Sequence, residues 1–458
     1  MSLFPRDKSS RDWTECARVS ASTPPLPSTS ASARLGPWHW VAFLVGVTPL
    51  VVYAFSPRIG DLDLYFKTAR AFLGGATPNQ DFRFEYPPYA LLWFIPAAWV
   101  RSTQWEFIPL FGLQLTVMDG FIKWVLLTEG ARKWGRTWRS VVPCLAYSVT
   151  SWMAALYYLK RYDLIPAALT MAALFALARR RETVAGLALS VGVVTKLYPV
   201  VLVPLALAVA WKRGTLGKLV VGLTLGVAPL LPLSAVWPWW GFASFHVDRG
   251  LQVESFGASL LWASHHLGLA QGVRWIHAPA AYELHGAAAE GVRAVSRWLW
   301  VVGSLGMAAV GVWSVRRRAP ERMEDLARLA LGPLVAFIIL NPVLSPQFLT
   351  WVMGAAALAL LSGSRTVPVL ILVAAVLSRG VFVGPSYKYG LDIPQTLLLL
   401  ARNGMLFVAG YLLLRDAWRR VASDDVAPSA SSERDFLPAS VEAACGEPAG
   451  IGLASQRR

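Results

Sequence analysis

Apolar runs recur from residue 37 to residue 415, separated by short charged loops. They predict helical spans near 37–55, 105–128, 140–159, 163–178, 183–196, 199–211, 215–235, 297–315, 326–343, 347–362, 366–384 and 396–415. Several are shorter than the roughly 20 residues a straight membrane-crossing helix needs. A further stretch, Tyr86–Val100, is apolar but short and begins just before a Pro-Pro pair. Between Gly60-Asp61 and Gly74-Gly75, Leu62, Tyr65, Phe66, Ala69, Phe72 and Leu73 recur at helical spacing. That spacing predicts an amphipathic helix lying along a membrane surface, with glycines as start and stop signals.

Composition sharpens this picture. Of 458 residues, 55% are hydrophobic and 15% charged, and mean hydropathy is +0.47. Soluble domains carry about 25% charged residues, so a soluble multidomain enzyme is excluded, as is disorder along the whole chain. The 21 tryptophans suit a chain with many lipid–water boundaries. The prediction is an all-α polytopic membrane protein, a bundle of about twelve transmembrane helices partnered by the lipid bilayer.

The net charge of +16 reads as topology rather than nucleic-acid binding, because no basic stripe is interleaved with exposed aromatics. Basic clusters fall at Arg132–Arg139, Arg179–Arg181, Lys212–Lys218 and Arg316–Arg318. All four lie on one side if 86–100 dips in and returns and if Lys196–Pro199 is an outward turn between two short helices. The positive-inside rule then makes that side cytoplasmic. Residues 1–36 and 416–458 become disordered cytoplasmic tails flanking a membrane domain at 37–415. No signal-peptide pattern opens the chain. Two large external segments remain, 56–104 and 236–296, and the second holds five of the six histidines. The three cysteines, Cys16, Cys144 and Cys445, have the spacing of neither a disulfide framework nor a zinc site. No phosphate loop, nucleophile elbow or zincin motif is present, and no metal or other cofactor is expected.

The first external segment carries D-x-x-x-Y at Asp61–Tyr65, a Gly-Gly turn, and D-F-R-F-E-Y-P-P at Asp81–Pro88 before an apolar run. Arg161–Ala167 (RYDLIPA), Ala185–Pro204 with its K-x-x-P, and Ser345–Trp351 (SPQFLTW) follow in order. In these features the chain resembles the multispanning GT-C glycosyltransferases, and within them glycosyltransferase family 87, the polyprenol-phosphate-mannose-dependent mannosyltransferases. The resemblance spans roughly 37–415. It implies inverting transfer of a hexose, mannose by analogy, from a polyprenyl-phosphate sugar to a hydroxyl of a glycan or glycolipid acceptor. The expected place is the external face of the cell membrane.

That reaction needs a base for the acceptor proton, cations for the departing phosphate and a groove for the lipid. The resemblance makes Asp61 the base, with Tyr65 one turn on and Asp63 as the rival. On the residues alone Asp61 is equally a helix cap, and Asp63 an exposed partner of Lys67 four residues away. Lys196, ending an apolar helix where a lone charge is costly, is the first candidate for phosphate contact; the alternative is snorkelling to the interface. Arg161 and Asp163 either serve the site or pair with each other. His246 and Arg249 are placed to face the same cavity. Glu85 beside Tyr86 either positions the acceptor or fixes the turn. Gln347 sits where Pro342 and Pro346 break the apolar pattern, as backbone lining a cavity is allowed to do. Asp119, the one deep carboxylate, is expected to pair with Lys123.

A competing class is a transporter or flippase of lipid-linked saccharides. Against it, no inverted repeat of broken segments is evident, and no chain of intramembrane carboxylates would relay protons.

Overall fold

The computed structural model describes residues 34–56, 60–101, 103–247, 249–277, 281–382, 387 and 390–422. The expected tails fall mostly outside the described residues. Helices of ten residues or more are numbered α1 (Pro37–Ala54), α2 (Leu62–Leu73), α3 (Tyr89–Val100), α4 (Gln104–Trp134), α5 (Val142–Met153), α6 (Leu164–Ala178), α7 (Glu182–Thr195), α8 (Val203–Lys212), α9 (Leu216–Val227), α10 (Phe256–His266), α11 (Ala287–Arg317), α12 (Met323–Ile339), α13 (Thr350–Ala359), α14 (Thr366–Phe382) and α15 (Ile393–Ala422). Pro37–Ala54, Gln104–Trp134, Leu216–Leu233, Ala287–Arg317 and Ile393–Arg420 are long and apolar enough to cross a membrane, and shorter apolar helices pack among them. The chain is an all-α membrane protein in its bulk.

Some boundaries depart from the apolar pattern. The run at 140–159 is broken at Ala154, between α5 and the single turn Ala155–Tyr158. The last helix runs on to Ala422, because Leu412–Trp418 still offers apolar contacts beyond residue 415. Among the described residues the architectural addition is a three-stranded antiparallel sheet inside 236–296, with β1 (Leu251–Gln252), β2 (Arg274–His277) and β3 (Tyr282–His285) in the order β1-β3-β2. With α10 it forms a small second core around Trp262, Leu284 and Leu399.

The centre of the bundle is α13, every residue of which is buried. Its sequence, TWVMGAAALA, is apolar or small all round, as a helix enclosed by others requires. Elsewhere in the bundle, α7 and α9 approach closely through paired small residues. A Cβ on Gly186 would meet the carbonyl of Leu219, one on Gly222 that of Thr183, and one on Gly226 the hydroxyl of Ser190. This spacing of small residues four apart on both helices lets two backbones touch within lipid. Asp119 and Lys123 of α4 form a fully buried ion pair, and Tyr158 donates to the same carboxylate at 2.9 Å.

The bundle has two chemically different ends. At one end the four basic clusters meet: Lys133 bonds Glu324 (2.8 Å), Arg179 pairs with Glu129, Arg213 with Glu182 (3.6 Å), and Lys212 donates to the carbonyl of Arg316 (2.9 Å). α6 ends there, α7 starts there and α8 ends there. At their other ends these helices deliver Asp163, Lys196 and Tyr198 to the opposite end of the bundle. α4, 31 residues and so about 46 Å long, also ends beside the basic clusters. Its start, and α3 before it, therefore lie toward the far end.

Candidate functional site

At the end opposite the basic clusters lies a cleft of about 670 Å³. Turns between helices build most of its wall. Asp61 and Leu64 come from the start of α2, Glu85, Tyr86 and Pro87 from the turn before α3, and Arg161 and Tyr162 from the turn before α6. Lys196 and Tyr198 follow α7, Gln347 and Phe348 lead into α13, and Trp351 stands in its first turn. Arg249 comes from the segment just before β1, Gln252 from β1 itself, and Arg297 and Trp300 stand on α11. The sheet is tied to the wall because the Gln252 amide donates to the carbonyl of Pro342 at 3.0 Å. Four basic and two acidic side chains line the cleft.

Asp61 stands at the start of α2 yet makes no capping hydrogen bond. Its carboxylate forms an ion pair with Arg161. A Cβ on Gly60, at φ +55°, would crowd the Lys160 side chain, so glycine lets this loop sit against the 160–161 turn. Burial lowers the Arg161 guanidinium to about 10, even with Asp163, Glu254 and Tyr387 acting to raise it; it stays a cation at neutral pH. Its neighbour Lys160 donates to the carbonyl of Ser56 at 3.0 Å, and burial lowers its ammonium to about 8.

Asp163 does not pair with Arg161, which goes to Asp61, but with Lys196 at 2.6 Å. It is only 1% exposed and stands behind Lys196, outside the cleft wall. Lys196 itself neither lies along the interface nor stands alone: it faces the cleft among the rings of Tyr162, Phe348 and Trp351.

Tyr65 is buried rather than exposed to the cleft, stacked on Phe94 at 4.3 Å and edge-on to Tyr86 and Tyr162. It fixes α2 against α3. Asp63 points away from the cleft and bonds Lys67 at 2.7 Å on the exposed face of α2. The side chain of His246 lies outside the described residues. Of the remaining histidines in this segment, His265 bonds the Ala270 carbonyl (2.9 Å) and His266 that of Leu391 (3.0 Å), as parts of the local fold. Among the described residues no cluster of side chains suits a metal ion.

The sequence pattern did not single out Gln252, Arg297, Trp300 or Asn341, which the structure adds to the wall. Arg293 and Arg297 share one face of α11 at i, i+4 spacing, and both donate to the Arg249 carbonyl, at 3.5 and 3.1 Å. The i, i+4 spacing alone does not mark a functional arginine, because Arg293 shares it and does not line the cleft. Asn79 adopts φ +63° and accepts from the Phe84 amide at 3.0 Å. Asn tolerates this backbone region well, and it shapes the turn that carries Glu85.

The sequence profile of glycosyltransferase family 87 matches residues 84–346, more than half of the chain and most of the segments that line the cleft. The chain belongs to glycosyltransferase family 87. A relative from Mycobacterium tuberculosis (strain ATCC 25618 / H37Rv) is the polyprenol-phosphate-mannose-dependent alpha-(1-2)-phosphatidylinositol mannoside mannosyltransferase. It is 25% identical over 356 residues, 72% of this chain and 76% of the relative. As a family 87 member the protein is a membrane glycosyltransferase, and its cleft is the candidate active site. Membership also favours glycosyl transfer over transport of a lipid-linked saccharide.

Proposed function

We propose that this glycosyltransferase moves a hexose, mannose by analogy with its mycobacterial relative, from a polyprenyl-phosphate sugar to a hydroxyl of a glycan or glycolipid acceptor. The observation that carries the reading is the cleft in which Asp61, paired with Arg161, shares one wall system with Lys196, Arg249 and Arg297.

Asp61 is the general base. Its carboxylate takes the acceptor proton as the acceptor oxygen attacks the anomeric carbon of the donor sugar. The bond from that carbon to the phosphate oxygen breaks, and its electron pair stays on the phosphate. Attack opposite the leaving group inverts the anomeric configuration. Lys196 and the arginines offset the charge that builds on the phosphate, an effect strongest in a site that excludes water. A phosphate arriving near Arg161 also competes with Asp61 for the guanidinium, so donor binding frees the base. Glu85 and Gln347 orient the sugars.

The four basic clusters at the far end of the bundle support a cytoplasmic orientation for that end under the positive-inside rule. The cleft then opens on the external face of the cell membrane, with the lipid chain leaving sideways into the bilayer.

The test uses purified protein in lipid, radiolabelled polyprenyl-phosphate mannose and a membrane extract. Label transfer by the wild-type chain that falls by at least about 100-fold in Asp61→Asn supports the reading. Movement of the lipid-linked sugar between leaflets without transfer overturns it.

A further inference from the structure

The geometry points to Trp351 as a positioning residue for the phosphate-binding ammonium of Lys196, acting through Asp163; this rests on the phosphate role proposed for Lys196 above. Trp351 Nε1 donates to Asp163 Oδ1 at 2.7 Å, and Lys196 Nζ donates to the same oxygen at 2.6 Å. One carboxylate oxygen thus joins a rigid indole to a flexible ammonium.

The indole is itself fixed. It stacks on Tyr198 at 4.1 Å with the rings 2° apart, and on Phe348 at 4.1 Å and 20°. Tyr198 is held in turn by its hydroxyl contact with Thr170 of α6 at 3.1 Å. Trp351 is 4% exposed and opens α13, the wholly buried helix at the centre of the bundle. The direction of its N–H is therefore set by the most enclosed element of the fold.

Lysine is otherwise a poor instrument for placing a charge. Its four-carbon stem has many rotamers, and fixing them costs entropy. Here the stem is short of choices: Asp163 draws the ammonium to one point, and the Tyr162, Phe348 and Trp351 rings stand 4.7, 5.8 and 5.5 Å from it. Asp163 needs its own anchor, because a carboxylate at the start of α6 that caps no amide is free to turn with the lysine. The indole N–H removes that freedom. Trp351 does not donate to the phosphate; its N–H is committed to Asp163.

The experiment is a double-mutant cycle on the affinity for polyprenyl phosphate, with polyprenol of the same length as the control lacking the phosphate, in nanodiscs. Trp351→Phe keeps an aromatic ring able to stack and removes the N–H together with the rest of the five-membered ring. Lys196→Ala is expected to weaken polyprenyl phosphate binding about tenfold, the size of one charge-assisted contact, and Trp351→Phe about threefold to tenfold. The double variant should bind no more weakly than Lys196→Ala alone, since coupled residues are not additive. Polyprenol affinity should be the same in all four proteins.

Wild-type affinity in Trp351→Phe, or losses that multiply in the double variant, would overturn the role of Trp351 and leave Lys196 as the phosphate contact. Wild-type affinity in Lys196→Ala would remove Lys196 from the phosphate site and overturn both. If Trp351→Phe does not fold, the isosteric Asp163→Asn runs the same cycle with the same expected outcomes.

Discussion

Asp61 and Arg161, one hundred residues apart in sequence, form an ion pair at the rim of the cleft. The pair is partly exposed, with side-chain accessibilities of 26% for Asp61 and 33% for Arg161. The free site therefore holds its candidate base and one of its candidate phosphate cations in each other's hands.

If phosphate competes for that guanidinium, removing the carboxylate charge should help the phosphate. Asp61→Asn is predicted to bind polyprenyl phosphate several-fold more tightly than the wild type, on the order of 1 kcal/mol for a solvent-accessible pair. Titration of the two proteins with the lipid in nanodiscs measures it. Unchanged or weaker binding would mean that Arg161 does not meet the phosphate.

Asp63 should be silent. It faces solvent and its contact with Lys67 is an exposed pair, which contributes at most a few tenths of a kcal/mol. Asp63→Ala is expected to keep wild-type transfer and a thermal midpoint within about 2 °C. A large loss of activity would make Asp63 the base in place of Asp61.

Lys160 gives the chain a pH dependence of defined sign. Its ammonium titrates near 8 in the folded chain, below the ordinary lysine value of about 10.4, so the folded state disfavours the charged form. That cost is fully present below pH 8 and fades as the pH rises toward 10. From pH 7 to 9 the wild-type chain should therefore gain about 1 kcal/mol from this group. Lys160→Met should lack that gain. Thermal unfolding in detergent at the two pH values measures the difference, and equal slopes for the two proteins would refute the assignment.

The contact between α7 and α9 leaves no room for a side chain at Gly186, where a Cβ would meet the Leu219 carbonyl. Gly186→Val should lower stability by about 3 kcal/mol or more, as overpacking at a backbone contact does. Because α7 ends at Lys196, polyprenyl phosphate affinity should fall as well. The neighbouring Gly217→Ala, with nothing within 4 Å of the added Cβ, serves as the control.

What could be read from the chain alone depended on contrast. Lys196, Arg161 and Glu85 stand out because each interrupts or borders an apolar run, where a charge is costly enough to need a reason. All three line the cleft. Arg297 and Trp300 line it too, but they sit inside a 31-residue helix that also carries Arg293 and Trp298. There, a functional arginine has the same local pattern as a solvated one. Pairing was the harder matter. Asp163 lies two residues from Arg161 and 33 from Lys196, yet bonds the lysine, because α6 and α7 lie side by side and bring their ends together. The strands of the small sheet are two to four residues long, too short to show a period-two pattern.

Much of the cleft wall is drawn from turns, while the helices behind it are locked by glycine contacts and by the wholly buried α13. Frame and reaction surface are thereby separated. Exchanging a few residues in the connecting segments at 85–87 or 341–347 alters the surface offered to a saccharide without disturbing the packing that keeps the chain folded. A protein built in this way can take up new sugars or new acceptors over evolutionary time while its scaffold stays the same.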